Sequence, residues 1–372
     1  MALYIGLMSG TSLDGIDGVL VEFGSPQGPP LQLRAHGHRP FVPGLRAELL
    51  ALNIAGDNEL ERAELAANGV ARAYAELVHA LLATGHCAAA EVRAIGAHGQ
   101  TVRHRPGEFD GTGFTTQLLN GALLAELAGI DVVCDLRRRD VAAGGQGAPL
   151  APGLHAALFA AAGQARAVLN LGGIANLTAL GADGSVLGFD CGPANALLDA
   201  WCQRHLGLPF DDGGRWAASG RVIEPLLAAM LAEPFFKLSP PKSTGRDLFR
   251  ASWLDGHVER HAPTASAVDV QATLAALTVQ IIANDVQRHA PQAALLLVCG
   301  GGARNTHLMS RLAAALPALR VTTTAEFGLP ADQVEAVAFA WLAQCFVEHR
   351  PGNIVAVTGA QGPRVLGSLH PA

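Results

Sequence analysis

Apolar runs and polar breaks divide the chain into two stretches that open alike. Leu3–Met8 and Ile16–Phe23 predict buried strands joined by the hairpin loop SGTSLDG, and a third strand follows near Leu31–His38. Helical spacing of apolar residues over Leu60–Leu82 predicts a long helix closed by Gly85. Val92–Ala97 predicts a short strand ending in HGQTV, Asn120–Leu127 a helix and Asp131–Cys134 a strand. The pattern then restarts. Ala167–Leu171 and Ile174–Leu180 predict two strands joined by GG, with Ser185–Phe189 as a third. Pro193–His205 predicts a helix with Pro in its first turn and Gly207 past its end. Val268–His289 predicts a long helix, Leu295–Cys299 a strand entering GGGARN, and Asp332–His349 a last helix. Each half is a strand meander continued by alternating strands and helices, which points to duplicated α/β domains with a ligand between them.

Length and composition agree with this picture. At 372 residues the chain exceeds what one hydrophobic core usually serves, and 50% hydrophobic with 16% charged residues is a globular composition. A net charge of −6 argues against nucleic acid as the main partner. The N-terminal MALYIGLMSG has no signal-peptide pattern, and the longest charge-free stretch, Val141–Ala165, is broken by GGQG, Pro149 and Pro152. The six cysteines are far apart with no C-x-x-C pair, as reduced cytoplasmic thiols would be. The expectation is a cytoplasmic protein with no membrane partner.

Familiar nucleotide signatures are missing. No Gly-Lys pair exists for a P-loop, and GGQGAPL and GGGARN both lack the last glycine of a dinucleotide fingerprint. The two lysines, Lys237 and Lys242, lie on no predicted strand, which argues against a protein-kinase site. Instead, three glycine-bearing loops each leave an apolar strand: Ser9–Gly15, Gly172-Gly173 with Asn176 behind it, and Gly300–Gly302. Loops of this kind can cradle phosphates with backbone N–H groups. On its own, the first loop reads equally well as a polar hairpin turn. Together the three resemble the actin, hexokinase and Hsp70 nucleotide fold.

The strings GLMSGTSLDGID, AIGAHGQTV, DLRRRDVAAGGQGAPL, LNLGGIANLT, GFDCGPANALLDAW, PKSTGRD, DVQATLAALT, VCGGGARN, VTTT and VEAVAFAWLA make the resemblance specific. In this order they resemble the motif series of the anhydro-N-acetylmuramic acid kinases over nearly the whole chain. The resemblance implies an α/β fold of two duplicated actin-like (ribonuclease H-like) ATPase domains around a nucleotide cleft. The expected division is residues 1–135 with 350–372, and 136–349. It implies a phosphotransferase that uses ATP and water to convert 1,6-anhydro-N-acetylmuramic acid to N-acetylmuramic acid 6-phosphate, in peptidoglycan recycling and amino-sugar catabolism. ATP with Mg2+ is the expected cofactor set, the Mg2+ being held mainly by phosphates and water. No protein metal ligand is expected: His36 and His38 have no further ligand at metal spacing and read as surface. A small sugar is the expected partner, with room left for a homodimer.

The same resemblance assigns residues. The family's D-T-G-P aspartate is its catalytic base, so Asp190 inherits that role; Cys191 replaces the threonine, which puts a hydroxyl contact in doubt. Read locally, Asp190 is equally a helix N-cap. Glu335, in the first turn of the last helix, is either a dipole partner or a second catalytic carboxylate. Gly10, Thr11, Ser12, Leu13, Asp14, Gly15, Ile16, Asp17, Gly172, Gly173, Asn176, Gly300, Gly301, Gly302 and Asn305 are the expected ATP contacts. Arg137 heads the arginine run before GGQGAP, and arginine suits the substrate's lactyl carboxylate. His98, Gln100 and Asn195, the last with Asp199 one turn on, complete the expected sugar contacts. Two other classes share these features: an ATP switch on the same fold, and a glycoside hydrolase with Asp190 and Glu335 as its carboxylate pair.

Overall fold

Two sheets carry the chain, and each opens with the antiparallel meander that the sequence predicts. The computed structural model describes residues 2–10, 13, 15–24, 30–244 and 248–372. β1 (Ala2–Ser9), β2 (Gly15–Phe23) and β3 (Leu31–Pro40) pair antiparallel in sequence order. β4 (Val92–Pro106) adds parallel to β1, β5 (Gly113–Leu118) folds back on the far half of β4, and β6 (Val132–Cys134) adds parallel beyond it. In the second sheet β7 (Arg166–Leu171), β8 (Ile174–Leu180) and β9 (Val186–Pro193) form the meander. β10 (Leu295–Cys299) and β11 (Arg320–Thr323) add parallel beyond β7. β12 (Ser368–His370) returns to the first sheet, antiparallel to β6. The orders β3-β2-β1-β4-β6 and β9-β8-β7-β10-β11 are one strand plan used twice, as duplicated actin-like domains require.

Packing divides the chain into Met1–Leu154 with Gln333–Ala372, and His155–Asp332. Residues 136–154 and 333–349 therefore belong to the first unit, where the sequence pattern assigned them to the second. The helix Val334–Val347 explains much of the difference, because it packs on β1 and β4. It does so at glycines: a Cβ on Gly6 would run into the carbonyl oxygen of Ala336, and one on Gly96 into that of Phe339. Only glycine allows backbones to approach so closely. Buried Asp140 fastens the preceding turn to the same unit. Its Oδ2 accepts Gly147 N–H at 2.7 Å, and its Oδ1 accepts Asn353 Nδ2 at 2.7 Å and Thr358 Oγ1 at 2.8 Å.

Each unit has its own apolar core, one including Ile5, Val70, Tyr74 and Ile95, the other Leu169, Phe189, Val270 and Leu296. The helix Ala267–His289 is long and apolar enough to cross a bilayer, but 72% of its most apolar window is buried in the fold, where it acts as a core helix.

Three boundaries differ from expectation in ways that matter for the site. β4 continues to Pro106, because polar residues past Ala97 still pair with β5. Gln100 is therefore inside a strand. β9 runs through Pro193, so Pro193 does not start the next helix, which spans Asn195–Leu206 and ends at Gly207 with φ 70°. Asp190 is thus a strand residue, and Ala194 takes the N-cap position.

Candidate active site

In the second unit, strand register assembles the polar groups. Asn170 on β7 pairs with Asn176 on β8, and Asn176 with Asp190 on β9. Directly opposed residues of neighbouring strands project on one face. Cys299 on β10 continues the row beside Asn170. Three apolar strands thus present an amide–amide–carboxylate row at the level where the glycine loops leave the sheet.

The Gly172-Gly173 loop is tied to the turn that starts the helix Asn195–Leu206. Ala194 N–H donates to Gly173 O at 3.0 Å, and Asn195 N–H to Gly172 O at 3.1 Å. Asn195 Nδ2 donates to Leu171 O at 2.9 Å. The Gly300–Gly302 loop packs on the same strand end. Gly300 has φ +80°, and a Cβ there would strike Asn170 Oδ1 and Leu171 O; one on Gly302 would strike Leu171. Gly301 differs, since a Cβ there would meet nothing within 4 Å. Two of these glycines are needed for packing, and the third leaves an open backbone surface where phosphate oxygens could approach. Asn305 is the N-cap of the helix Thr306–Ala315, its Oδ1 accepting Leu308 N–H at 3.0 Å, so its side-chain oxygen is committed to the scaffold.

Asp190 is held on one oxygen by Thr244 N–H at 2.9 Å. Its own N–H donates to Lys242 O at 3.1 Å. Burial pushes its carboxyl up to about 6, against the opposing pulls of the Thr244 N–H and the Lys242 charge. A carboxylate with that affinity for a proton is well matched to general-base work near neutrality. Cys191 faces inward and is fully buried; burial pushes its thiol well above the ordinary value, and the thiol bonds to Asp285. The threonine-to-cysteine departure therefore lies on the core side of β9.

In the first unit, β4 and the turn after β6 meet. His98 Nδ1 lies 3.1 Å from Ser9 O, and Arg137 Nε and Nη2 lie 3.1 and 3.0 Å from His98 Nε2. These contacts fix the tautomer: Nδ1–H donates to the carbonyl and Nε2 accepts. Burial, then the Arg137 charge, pushes His98 down to about 3. Arg137 also donates through Nη1 to Gly147 O at 2.7 Å. Burial pulls it down to about 10, while Glu335 and Asp140 favour its charge. Glu335 is exposed in the first turn of the Val334–Val347 helix. Gln100 is fully buried and donates to Gly10 O at 3.1 Å; among the described residues its Oε1 has no partner.

The first glycine loop is described in part. Thr11, Ser12 and Asp14 lie outside the described residues. Leu13 and Ile16 are core side chains, which leaves them only backbone groups for a ligand. A Cβ on Gly15 would strike Arg39 O, and Asp17 pairs with His38 at 2.9 Å. Among the described residues, no three His, Cys, Asp or Glu side chains form a metal site.

Lys242, Thr244, Asn170 and Asp285 were not singled out from the sequence. Lys242 had a signal, being one of two lysines and inside the string PKSTGRD. Asp285 had none, since a lone Asp in a helix pattern looks like a solvated position.

A family model described as anhydro-N-acetylmuramic acid kinase matches residues 2–372. The chain is 58% identical over 373 residues to the anhydro-N-acetylmuramic acid kinase of Cupriavidus metallidurans, covering 99% of this chain and 97% of that one. It is 57% identical over 377 residues to the protein of that description from Variovorax paradoxus, covering 100% and 99%. Among solved structures, the activator of the 2-hydroxyisocaproyl-CoA dehydratase from Clostridium difficile with bound ADPNP aligns with a TM-score of 0.49 at 13% identity, over 93% of this chain and 96% of that one. At that score the likeness adds nothing to the strand order above.

Proposed function

The chain belongs to the anhydro-N-acetylmuramic acid kinase family, and from that premise we propose how its residues divide the work of an ATP-dependent kinase acting on 1,6-anhydro-N-acetylmuramic acid. The products are N-acetylmuramic acid 6-phosphate and ADP, a step of cell-wall recycling in the cytoplasm. Asp190 takes the proton of the attacking water. The observation that carries this is a partly buried carboxylate, raised to about 6, held on one oxygen by Thr244 N–H and aligned with Asn170 and Asn176.

The backbone at Gly172, Gly173 and Gly300–Gly302 receives the nucleotide's phosphates, with Gly301 as the open contact. Gly10 to Asp17 are nucleotide contacts as well, Leu13 and Ile16 through backbone groups because their side chains are in the core, and Asn176 is one through its amide. Asn305 acts by capping the helix behind the loop. Mg2+ would accompany the phosphates and would be held mainly by them and by water.

Arg137 binds the lactyl carboxylate. His98 and Glu335 hold it in place and in charge, and Gln100 offers Oε1 to a sugar donor. Asn195 acts on the sugar side by setting the start of its helix. A homodimer is compatible with this arrangement. The test is a product assay by mass spectrometry with the anhydro-sugar, with and without ATP. The 6-phosphate should form only with ATP. Free muramic acid formed without ATP would replace the kinase with a hydrolase.

A further inference from the structure

A cluster of buried charges sits behind the base, and the scheme above gives it no role. The segment Lys242–Thr244 runs beside β9, an edge strand of the second sheet, and makes both backbone hydrogen bonds to Asp190 described above. From there the Lys242 side chain turns into the core. Its side chain is 2% exposed, and its Nζ lies 3.3 Å from Asp285 Oδ2. The same Nζ is 5.4 Å from the ring centre of Phe189 and 5.1 Å from that of Phe235. Asp285, on the helix Ala267–His289, also bonds the Cys191 thiol, and His289 Nε2 is 4.0 Å from its Oδ1.

A buried ion pair is a poor source of stability, because desolvating two charges consumes most of their attraction. Apolar residues of similar size would fill this space at lower cost. What the pair achieves is location. It ties the segment that clamps Asp190 to the core helix, across β9 from the reacting face.

We propose that Lys242 and Asp285 are positioning residues for the base: Asp285 holds Lys242, and Lys242 fixes the clamping segment and places a positive charge behind the Asp190 carboxylate. This rests on Asp190 being the base. The other titratable groups facing the cluster, among the described residues, are Cys191 on β9, His289 on the helix, with Arg288 acting on His289, and the exposed Lys237, which lines the same cavity as Asp285. Burial disfavours charge on both Cys191 and His289. That leaves Lys242 as the charge that acts on Asp190, with Asp285 as its partner.

The test titrates the Asp190 carboxyl directly, by carbon NMR of protein labelled at the aspartate carboxyls, with the resonance identified by its loss in Asp190→Asn. Lys242→Met should move the midpoint up by about one unit, tenfold in the proton equilibrium, as expected for removal of a nearby opposite charge. Lys242→Arg should return it toward the starting value. Asp285→Asn should shift the midpoint when Lys242 is present and should add nothing in Lys242→Met. The doubly substituted protein carries neither buried charge, so it supplies the same upward shift if Lys242→Met alone does not fold. An unmoved midpoint in both proteins lacking Lys242 would overturn the proposal. So would an Asp285→Asn shift of equal size with and without Lys242. Failure of the base assignment appears separately, as near-normal turnover in Asp190→Asn, because the titration does not depend on turnover.

Discussion

Arg137 grips His98 with two nitrogens, Nε at 3.1 Å and Nη2 at 3.0 Å from His98 Nε2, and spends a third on Gly147 O. A guanidinium has five N–H groups, so one remains on each terminal nitrogen. The fork is thus aimed by the scaffold and still has two donors for a carboxylate. Arg137→Ala should lose a charge-assisted contact of about 1.5–3 kcal/mol with the muramic substrate. It should also leave His98 Nε2 buried without its donor, which lowers stability whatever the substrate. The two effects separate in the ratio of kcat/KM for the muramic sugar to that for the anhydro-sugar lacking the lactyl group. That ratio should fall roughly tenfold or more. Equal losses on both sugars would leave Arg137 with a scaffold role alone.

Asp190 makes the pH dependence predictable in sign. Its carboxyl is raised to about 6 in the fold, from an ordinary value of 3.8. In its proposed role as base Asp190 works ionised, so kcat/KM should fall as pH drops through about 6 and level off above it. Asp190→Asn should lower turnover by about 100-fold or more and abolish that acid limb. Stability runs the other way. Between pH 3.8 and about 6 the folded state binds this proton more tightly than the unfolded state, so folding loses stability as pH rises across that window. Above it the wild type carries the full cost. Asp190→Asn, whose amide oxygen can still accept Thr244 N–H, should melt no lower than wild type at pH 7. Near-normal turnover, or an unmoved acid limb, would remove Asp190 from the role.

The strand meanders, the long helices and the glycine loops were legible because each rests on a local pattern: alternation, helical spacing, or glycine after an apolar run. The Asp190 site was half legible. Asp190 itself stood out through its motif, but its local surroundings read as a helix cap. It is a strand residue because the β8–β9 pairing runs on through Gly192 and Pro193, which no local rule anticipates. The unit boundary was missed because the place of the Val334–Val347 helix is set by Gly6 and Gly96, more than two hundred residues away in sequence. Asp285 was invisible for the same kind of reason: its partner Lys242 lies on a loop 43 positions earlier.

The last glycine loop allows packing and ligand contact to be told apart by adding one methyl group. Gly300→Ala forces a side chain onto a residue at φ +80° and into Asn170 and Leu171. It should destabilise the fold by about 1–3 kcal/mol, seen as a lower melting temperature without nucleotide. Gly301→Ala meets nothing within 4 Å and has no such backbone constraint. It should melt like the wild type. If phosphate oxygens approach this backbone, the added methyl should raise the KM for ATP roughly tenfold while leaving KM for the sugar nearly unchanged. A normal KM for ATP in Gly301→Ala would move the phosphates to the other loops.

The chemistry itself separates this reaction from an ordinary sugar kinase. In the anhydro-sugar, oxygen six is tied to carbon one and carries no proton, so a base that only deprotonates an alcohol has nothing to act on. Breaking the bond at carbon one builds oxocarbenium character in the ring and negative charge on the departing oxygen. A glycosidase would supply a general acid to that oxygen. In the proposed scheme the γ-phosphoryl group of ATP can receive it, and the backbone donors of the glycine loops would offset its charge, helped by Mg2+ if it comes in with the nucleotide. One carboxylate would then be sufficient: in its proposed role Asp190 would take a proton from water as the water attacks carbon one, and the leaving oxygen would go to phosphorus. Solvent oxygen should therefore enter at carbon one and the phosphoryl should end on oxygen six, one event for each ADP formed. In heavy-oxygen water, mass spectrometry of product trapped before anomeric exchange should find the label on the anomeric oxygen and none in the phosphate. Muramic acid accumulating without ADP would show that hydrolysis and transfer are separate steps and that Asp190 serves a hydrolase, and label in the phosphate would show that water attacks phosphorus and not carbon one.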